Sequence, residues 1–321
     1  MLFRFLAYLV ERMPFLRKVL NLTPLGRVLA LSTSSAAVPP VVTAGWLHAK
    51  LTDRAPPKVI DASWYLPAMK RDGRAEYMEK RVPGARFFDI DATDDTSDLP
   101  HMVPSAGYFG NMMDACGVSN DDHVVVYDGK GIFSAPRLWW MLKAFGHTRA
   151  SVLDGGLPAW ERGGFQVESG PPASVPGGSP FKAVLQTNAC CSLSRMKEIV
   201  ERAQPIVVDA RPKARFEGTA AEARPNCRSG HIPSSRSVPF DAVLRADGTI
   251  LSPSEIIATL QAAGVESISA PLVGSCGSGV TAAILALALE HAGRDGLLEI
   301  YDGSWAEWGS NPELPLATGP A

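Results

Sequence analysis

Pro271-Leu272-Val273-Gly274-Ser275-Cys276-Gly277-Ser278-Gly279-Val280-Thr281 runs an apolar segment into a lone cysteine and two spaced glycines. Ala282 to Glu290 follows as an Ala- and Leu-rich stretch with helix-forming composition. Strand, tight loop, helix is the order in which a buried strand delivers a nucleophile to a helix N-terminus. Glycines at 277 and 279 let the backbone curl so that successive N–H groups converge on one point. The positive end of the helix stands behind that point, so an anion is stabilised there. Cys276 therefore reads as a thiolate nucleophile, and a terminal sulfur carried on it would also be held as an anion. The competing reading is a buried cysteine that only packs at a strand end.

The rest of the chain is organised by a duplication. Val59-Ile60-Asp61-Ala62-Ser63 matches Val207-Val208-Asp209-Ala210-Arg211, and Leu153-Asp154-Gly155 matches Tyr301-Asp302-Gly303, both 148 positions apart. Between them, Val82-Pro83-Gly84-Ala85 echoes Ile232-Pro233-Ser234-Ser235 at nearly the same offset. Each copy reads as a short strand ending in Asp, a polar loop, a second strand after the Pro turn, and a helix. A buried strand (Val124–Tyr127; Leu272–Gly274), a long helix and a last strand before Asp-Gly complete it. Strands alternating with helices imply α/β architecture, with mainly parallel sheets flanked by helices on both faces. Gly170 to Pro180 is too rich in Pro and Gly to be an element and reads as the linker. The offset places Asp128 where the second copy has Cys276, so the first copy is expected to keep the scaffold without the chemistry.

Composition bounds the remaining possibilities. With 321 residues the chain has room for two domains, and a net charge of −2 gives no global reason to invoke nucleic acid or acidic membranes. No run approaches the length of a membrane span. Residues 1–30 hold Arg4, Arg12, Arg17, Lys18 and Arg27 against Glu11 alone, interleaved with Leu, Phe and Val, and a Ser/Thr/Ala stretch follows. That pattern predicts a mitochondrial transit peptide rather than a secretory signal. The alternative is a retained surface helix. The five cysteines, Cys116, Cys190, Cys191, Cys227 and Cys276, show neither a disulfide framework nor zinc spacing. Adjacent Cys190 and Cys191 read as exposed linker thiols, Trp139 and Trp140 as core, and His231 as a structural turn residue. The expected organisation is a leader over 1–38, a degenerate domain over 39–169, a linker over 170–184, a catalytic domain over 185–315 and a tail over 316–321.

The two-copy layout, the Cys276-Gly277-Ser278-Gly279-Val280-Thr281 loop and the closing Tyr301-Asp302-Gly303-Ser304-Trp305 resemble the tandem rhodanese sulfurtransferases. The loop resembles that of the 3-mercaptopyruvate type in particular, and the resemblance spans residues 40 to 315. It implies two rhodanese-like domains and a persulfide carried on Cys276, with no metal or organic cofactor. Rhodanese-like phosphatases need an arginine where this chain has Ala282, and thiosulfate-specific members carry Arg and Lys directly after the cysteine, where Gly277 and Ser278 stand. Thiosulfate is thus expected to be a poor donor. A binding module with an incidental cysteine is the third alternative.

The resemblance also implies site residues. Arg215, in Arg-Phe-Glu-Gly-Thr, and Arg224 match the two arginines that hold the donor carboxylate, for which paired planar donors are suited. Gly277, Gly279, Val280 and Thr281 would cradle the sulfur. Asp91 and His101 match a first-domain aspartate and histidine that complete a relay with Ser278, although the stretch between them is one residue shorter than the family's common spacing. Asp89 is the alternative partner for His101. Such a relay would move the donor thiol's proton to the departing pyruvate enolate. Thioredoxin, small thiols or cyanide would take the sulfur. A sulfur relay serving a tRNA-thiolation partner is the rival role, without direct nucleic-acid binding by this chain.

Overall fold

The computed structural model describes residues 38–92, 97–174 and 179–320. All but the last residue of the expected leader lie outside the described residues. Two five-stranded sheets carry the chain. The first is built from β1 (Val41–Val42), β2 (Lys58–Asp61), β3 (Arg86–Phe87), β4 (Val124–Tyr127) and β5 (Ala150–Leu153). The second comprises β6 (Cys190–Cys191), β7 (Ile206–Asp209), β8 (Arg236–Ser237), β9 (Leu272–Ser275) and β10 (Glu299–Tyr301). Their orders, β1-β5-β4-β2-β3 and β6-β10-β9-β7-β8, are the same strand for strand, and every pairing is parallel.

Side-chain alternation along the strands divides the core. Val124 and Val126 point into a central cluster, while Val125 and Tyr127 point into an outer one. Val208 and Val207 divide in the same way in the second sheet. The central cluster is shared by both sheets because helices Ala135–Ala144 and Ala282–His291 pack against each other between them. Ala282 through Leu289 are all buried, which suits a helix that is apolar on every side. Trp139 and Trp140 are fully buried, and Trp140 Nε1 donates to the Leu298 carbonyl of the other domain at 3.0 Å. The Pro turns echo in geometry too: Gly84 and Ser234 both adopt a left-handed backbone, with φ of 74° and 65°.

Two features differ from the sequence reading. Each sheet begins with a two-residue edge strand, β1 or β6, too short to leave a periodic signal. Cys190 and Cys191 form β6 rather than an exposed linker, paired with Ile300 and Tyr301. Cys190 packs against the central cluster and Cys191 belongs to the outer one. Burial pushes both thiols up to about 12. Among the described residues no helix is long and apolar enough to cross a membrane.

Candidate active site

Strand register sets the position of the site. Asp209 ends β7 level with Ser275 at the end of β9, so Cys276 emerges at the carboxyl edge of the sheet, where α/β folds place ligands. Its base is pinned by the segment after β10. Cys276 N–H donates to Ser304 Oγ at 3.2 Å, while the Cys276 and Gly277 carbonyls accept from Trp305 and Ala306 N–H, each at 2.9 Å. Ser304 holds a left-handed φ of 49° to make this contact. Gly279 also needs the left-handed region, with φ of 80°, and Arg137 Nη1 lies 3.1 Å from where a Cβ would stand. Among the described residues no protein acceptor takes the N–H groups of Gly277, Ser278, Gly279, Val280 or Thr281. The loop donors, which the glycines are expected to make converge, are therefore unspent among the described residues.

The sequence-predicted relay residues come together across the domain boundary. Ser278 Oγ lies 2.9 Å from His101 Nδ1, and His101 Nε2 lies 2.8 Å from Asp91 Oδ1. Ser278 and His101 are buried, whereas much of the Asp91 side chain is exposed. A carboxylate at Nε2 places the ring N–H there, which leaves Nδ1 to accept from the serine hydroxyl. Burial pushes the Asp91 carboxyl up, but hydrogen bonds and charge from His101, with help from Trp64 and Arg224, outweigh it and hold the group below its ordinary value. Asp89, the alternative partner, instead accepts the Asp91 backbone N–H at 3.0 Å. The shorter Asp91–His101 stretch does not prevent the contact.

Beside the loop is a cavity of about 390 Å³. Arg215, Arg224, Val280 and Thr281 line it together with Cys276, Gly277, Ser278 and the relay. Both arginines are half-buried, and neither has an ion-pair partner among the described residues. Arg224 Nη1 lies 3.6 Å from the point a Cβ on Gly277 would occupy, which puts a free guanidinium against the loop. Arg211 also lines the cavity but is committed elsewhere. It is buried, bound to Asp209 at 2.6 Å and Glu222 at 2.8 Å, and lies 4.3 Å over the Trp305 ring. His231 is buried, stacks on Phe216 and contacts its carbonyl at 2.8 Å, outside the cavity. Cys227 packs beside Trp305, and burial pushes its thiol up. Among the described residues no cluster of His, Cys, Asp and Glu could hold a metal ion.

Sequence reasoning missed Trp64 and Arg137. Trp64 Nε1 donates to Asp91 Oδ2 at 2.8 Å, and its ring meets that of His101 edge-on at 4.7 Å. With Leu66, Pro67, Phe133 and Phe240 it supplies the apolar part of the cavity lining. Its only sequence signal is its place just past β2, on the carboxyl edge of the first sheet.

The Rhodanese-like domain model matches this chain twice, over residues 43–162 and 192–311. The chain belongs to the rhodanese family. A mitochondrial thiosulfate/3-mercaptopyruvate sulfurtransferase of Arabidopsis thaliana is 42% identical over 89% of this chain and 80% of its own length. The human 3-mercaptopyruvate sulfurtransferase is 43% identical over 84% and 91%. Among solved rhodanese folds, the 3-mercaptopyruvate sulfotransferase SseA from Escherichia coli superposes with a TM-score of 0.74 at 37% identity, covering 84% of this chain and 99% of its own.

Proposed function

We propose that this chain is a 3-mercaptopyruvate sulfurtransferase working through a persulfide on Cys276. The observation that carries this reading is a Ser278–His101–Asp91 chain of hydrogen bonds against the cysteine loop, in one cavity with two arginines that have no ion-pair partner among the described residues. Arg215 and Arg224 hold the donor carboxylate, and the Cys276 thiolate attacks the donor sulfur. The C3–S bond breaks, its electron pair goes to carbon, and pyruvate leaves as its enolate. The proton of the donor thiol passes through Ser278 and His101 to C3, so the products are pyruvate and the Cys276 persulfide anion. The unspent loop N–H groups stabilise that anion. A thiolate acceptor, from thioredoxin or a small thiol, or cyanide, then attacks the outer sulfur and restores Cys276.

Thiosulfate needs no such relay, because sulfite departs without receiving a proton on carbon. The relay therefore favours mercaptopyruvate, even though the Arabidopsis relative is named for both donors. The test compares pyruvate formed from 3-mercaptopyruvate with thiocyanate formed from thiosulfate. Wild type is expected to favour mercaptopyruvate by at least about tenfold in kcat/KM, and Cys276→Ser to lose both activities by more than about 10³-fold. Comparable rates with the two donors would overturn the donor assignment. We read residues 1–38 as a mitochondrial leader, in line with the Arabidopsis relative. Import of a fusion carrying this segment into isolated mitochondria is the measurement that decides it.

A further inference from the structure

We propose that Arg137 is a positioning residue for the proton relay, a first-domain guanidinium that fixes His101 against the cysteine loop of the second domain. The inference rests on the sulfurtransferase reading above. Arg137 is 1% exposed, inside the helix Ala135–Ala144 that packs between the sheets. Its Nη2 donates to the His101 carbonyl at 2.6 Å and to Asp302 Oδ1 at 2.7 Å, and its Nη1 donates to the Gly279 carbonyl at 3.3 Å. Asp302 Oδ2 in turn accepts the Val103 N–H at 2.7 Å. One cation therefore touches the relay histidine's backbone, the nucleophile loop and the carboxylate that anchors the chain beyond His101.

His101 needs this support because its backbone is left-handed, with φ of 60°, a conformation a non-glycine residue holds only when its surroundings dictate it. The forked guanidinium can serve three acceptors at fixed angles, which a lysine cannot.

The duplication supplies an internal control. In the other copy, Asp154 Oδ1 accepts the Ile250 N–H at 2.9 Å, repeating the bond between Asp302 and Val103. The position matching Arg137 is Leu285, which is fully packed, and Asp154 has no ion-pair partner among the described residues. Docking a crossing segment onto an Asp-Gly turn thus proceeds without a buried arginine paired to the aspartate, Asp154 feeling only the more distant charges of His291 and Arg245. A buried ion pair is also a poor source of stability compared with an apolar pair of similar size. The arginine occurs only in the copy whose crossing segment carries the histidine, which points to alignment of the relay rather than to docking.

The experiment uses the full chain with Arg137→Lys and with the double change Arg137→Gln/Asp302→Asn, which leaves no unpaired buried charge. Two rates are measured: pyruvate release from 3-mercaptopyruvate, and alkylation of Cys276 by iodoacetamide, which needs the thiol and loop but no relay. The double variant is expected to lose about 30- to 100-fold in kcat, at and just below the lower end of what general acid–base catalysis contributes (roughly 10²–10⁴-fold), because the histidine is kept and only its alignment is lost. KM should change by less than about threefold because Arg215 and Arg224 are intact, and alkylation should stay within about twofold of wild type. Arg137→Lys should fall between the double variant and wild type; if the double variant does not fold, the lysine variant decides by the same two rates. Wild-type kcat in a folded variant overturns the proposal, as does a parallel fall of kcat and alkylation, which would mark a merely structural role. Absence of pyruvate release by wild type itself would instead overturn the sulfurtransferase reading.

Discussion

The two loops that follow β4 and β9 share one backbone plan and opposite contents. In the first, the Asp128 carboxylate accepts N–H bonds from Lys130, Gly131, Phe133, Ser134 and Ala135, all between 2.8 and 3.0 Å. In the second, Cys276 takes the matching position and the loop donors from Gly277 to Thr281 have no protein acceptor among the described residues. The first loop is filled by a carboxyl group built into the chain, whose buried position pushes it up against the pull of those N–H bonds, whereas the second keeps its donors for an anion that arrives with the reaction. Duplication gave both copies an anion cradle, and a single side chain separates a structural plug from a site for sulfur. The rims diverge accordingly. Positions matching Arg215 and Arg224 are Pro67 and Glu76, and Glu76 is tied to Arg71 at 2.7 Å and to Tyr65 at 2.6 Å.

Exchanging the contents of the loops gives the largest effect. Cys276→Asp should abolish sulfur transfer, with a loss above about 10³-fold, because no persulfide can form. It should leave the melting temperature at or above that of wild type, since a carboxylate there meets waiting N–H donors. Asp128→Ala should do the reverse. Stripping the acceptor from five buried donors is expected to cost about 2–4 kcal/mol in denaturant unfolding, while turnover per folded molecule stays near wild type. If Asp128→Ala melted like wild type, or Cys276→Asp unfolded several degrees earlier, the two cradles would not be equivalent.

Much of this contrast was legible in the chain itself. The 148-residue offset located both sheets and paired Asp128 with Cys276, because Val-rich strands and Asp-Gly turns are local patterns. The contact behind the proposed relay was reachable only through family resemblance: Ser278 and His101 lie 177 positions apart, and the packing of two helices in a shared core brings them to 2.9 Å. Trp64 is marked only by its place past β2 and Arg137 by nothing, because their roles depend on what faces them across that core. Cys190 and Cys191 were misplaced for a related reason. A two-residue strand is defined by its neighbour β10 rather than by any alternation of its own.

The rims provide a second, smaller contrast. Arg215→Gln or Arg224→Gln should each raise KM for 3-mercaptopyruvate about 10- to 100-fold, the worth of one charge-assisted bond to a carboxylate. Alkylation of Cys276 by a neutral reagent should change less than about threefold. Glu76→Gln on the first copy's rim should leave KM unchanged. If KM rose in the two arginine variants and fell by a similar factor in Glu76→Gln, the substrate would be responding to general electrostatics rather than to a clamp.

The smallest expected effect separates the aspartates that end β2 and β7. Asp209 is neutralised by Arg211 at 2.6 Å, but at the matching place after Asp61 the chain has Ser63, which supplies hydrogen bonds and no charge. Burial accordingly raises the Asp61 carboxyl from 3.8 to about 6, against the hydrogen bonds from Ser63 and Tyr127 that pull it down. The folded chain thus holds a proton on Asp61 that the unfolded chain has released between those values. Its contribution to stability is full below pH 4 and is lost as pH climbs through 6. An asparagine amide in its place would mimic the protonated form at every pH and keep an acceptor for Ser63. Asp61→Asn is therefore expected to be more stable than wild type by about 1–2 kcal/mol at pH 8, with the gap closing as pH falls toward 4. Melting curves of both proteins from pH 4.5 to 8 would show it; a gap independent of pH would mean that Asp61 is neutralised by a route other than protonation, as Asp209 is by its arginine.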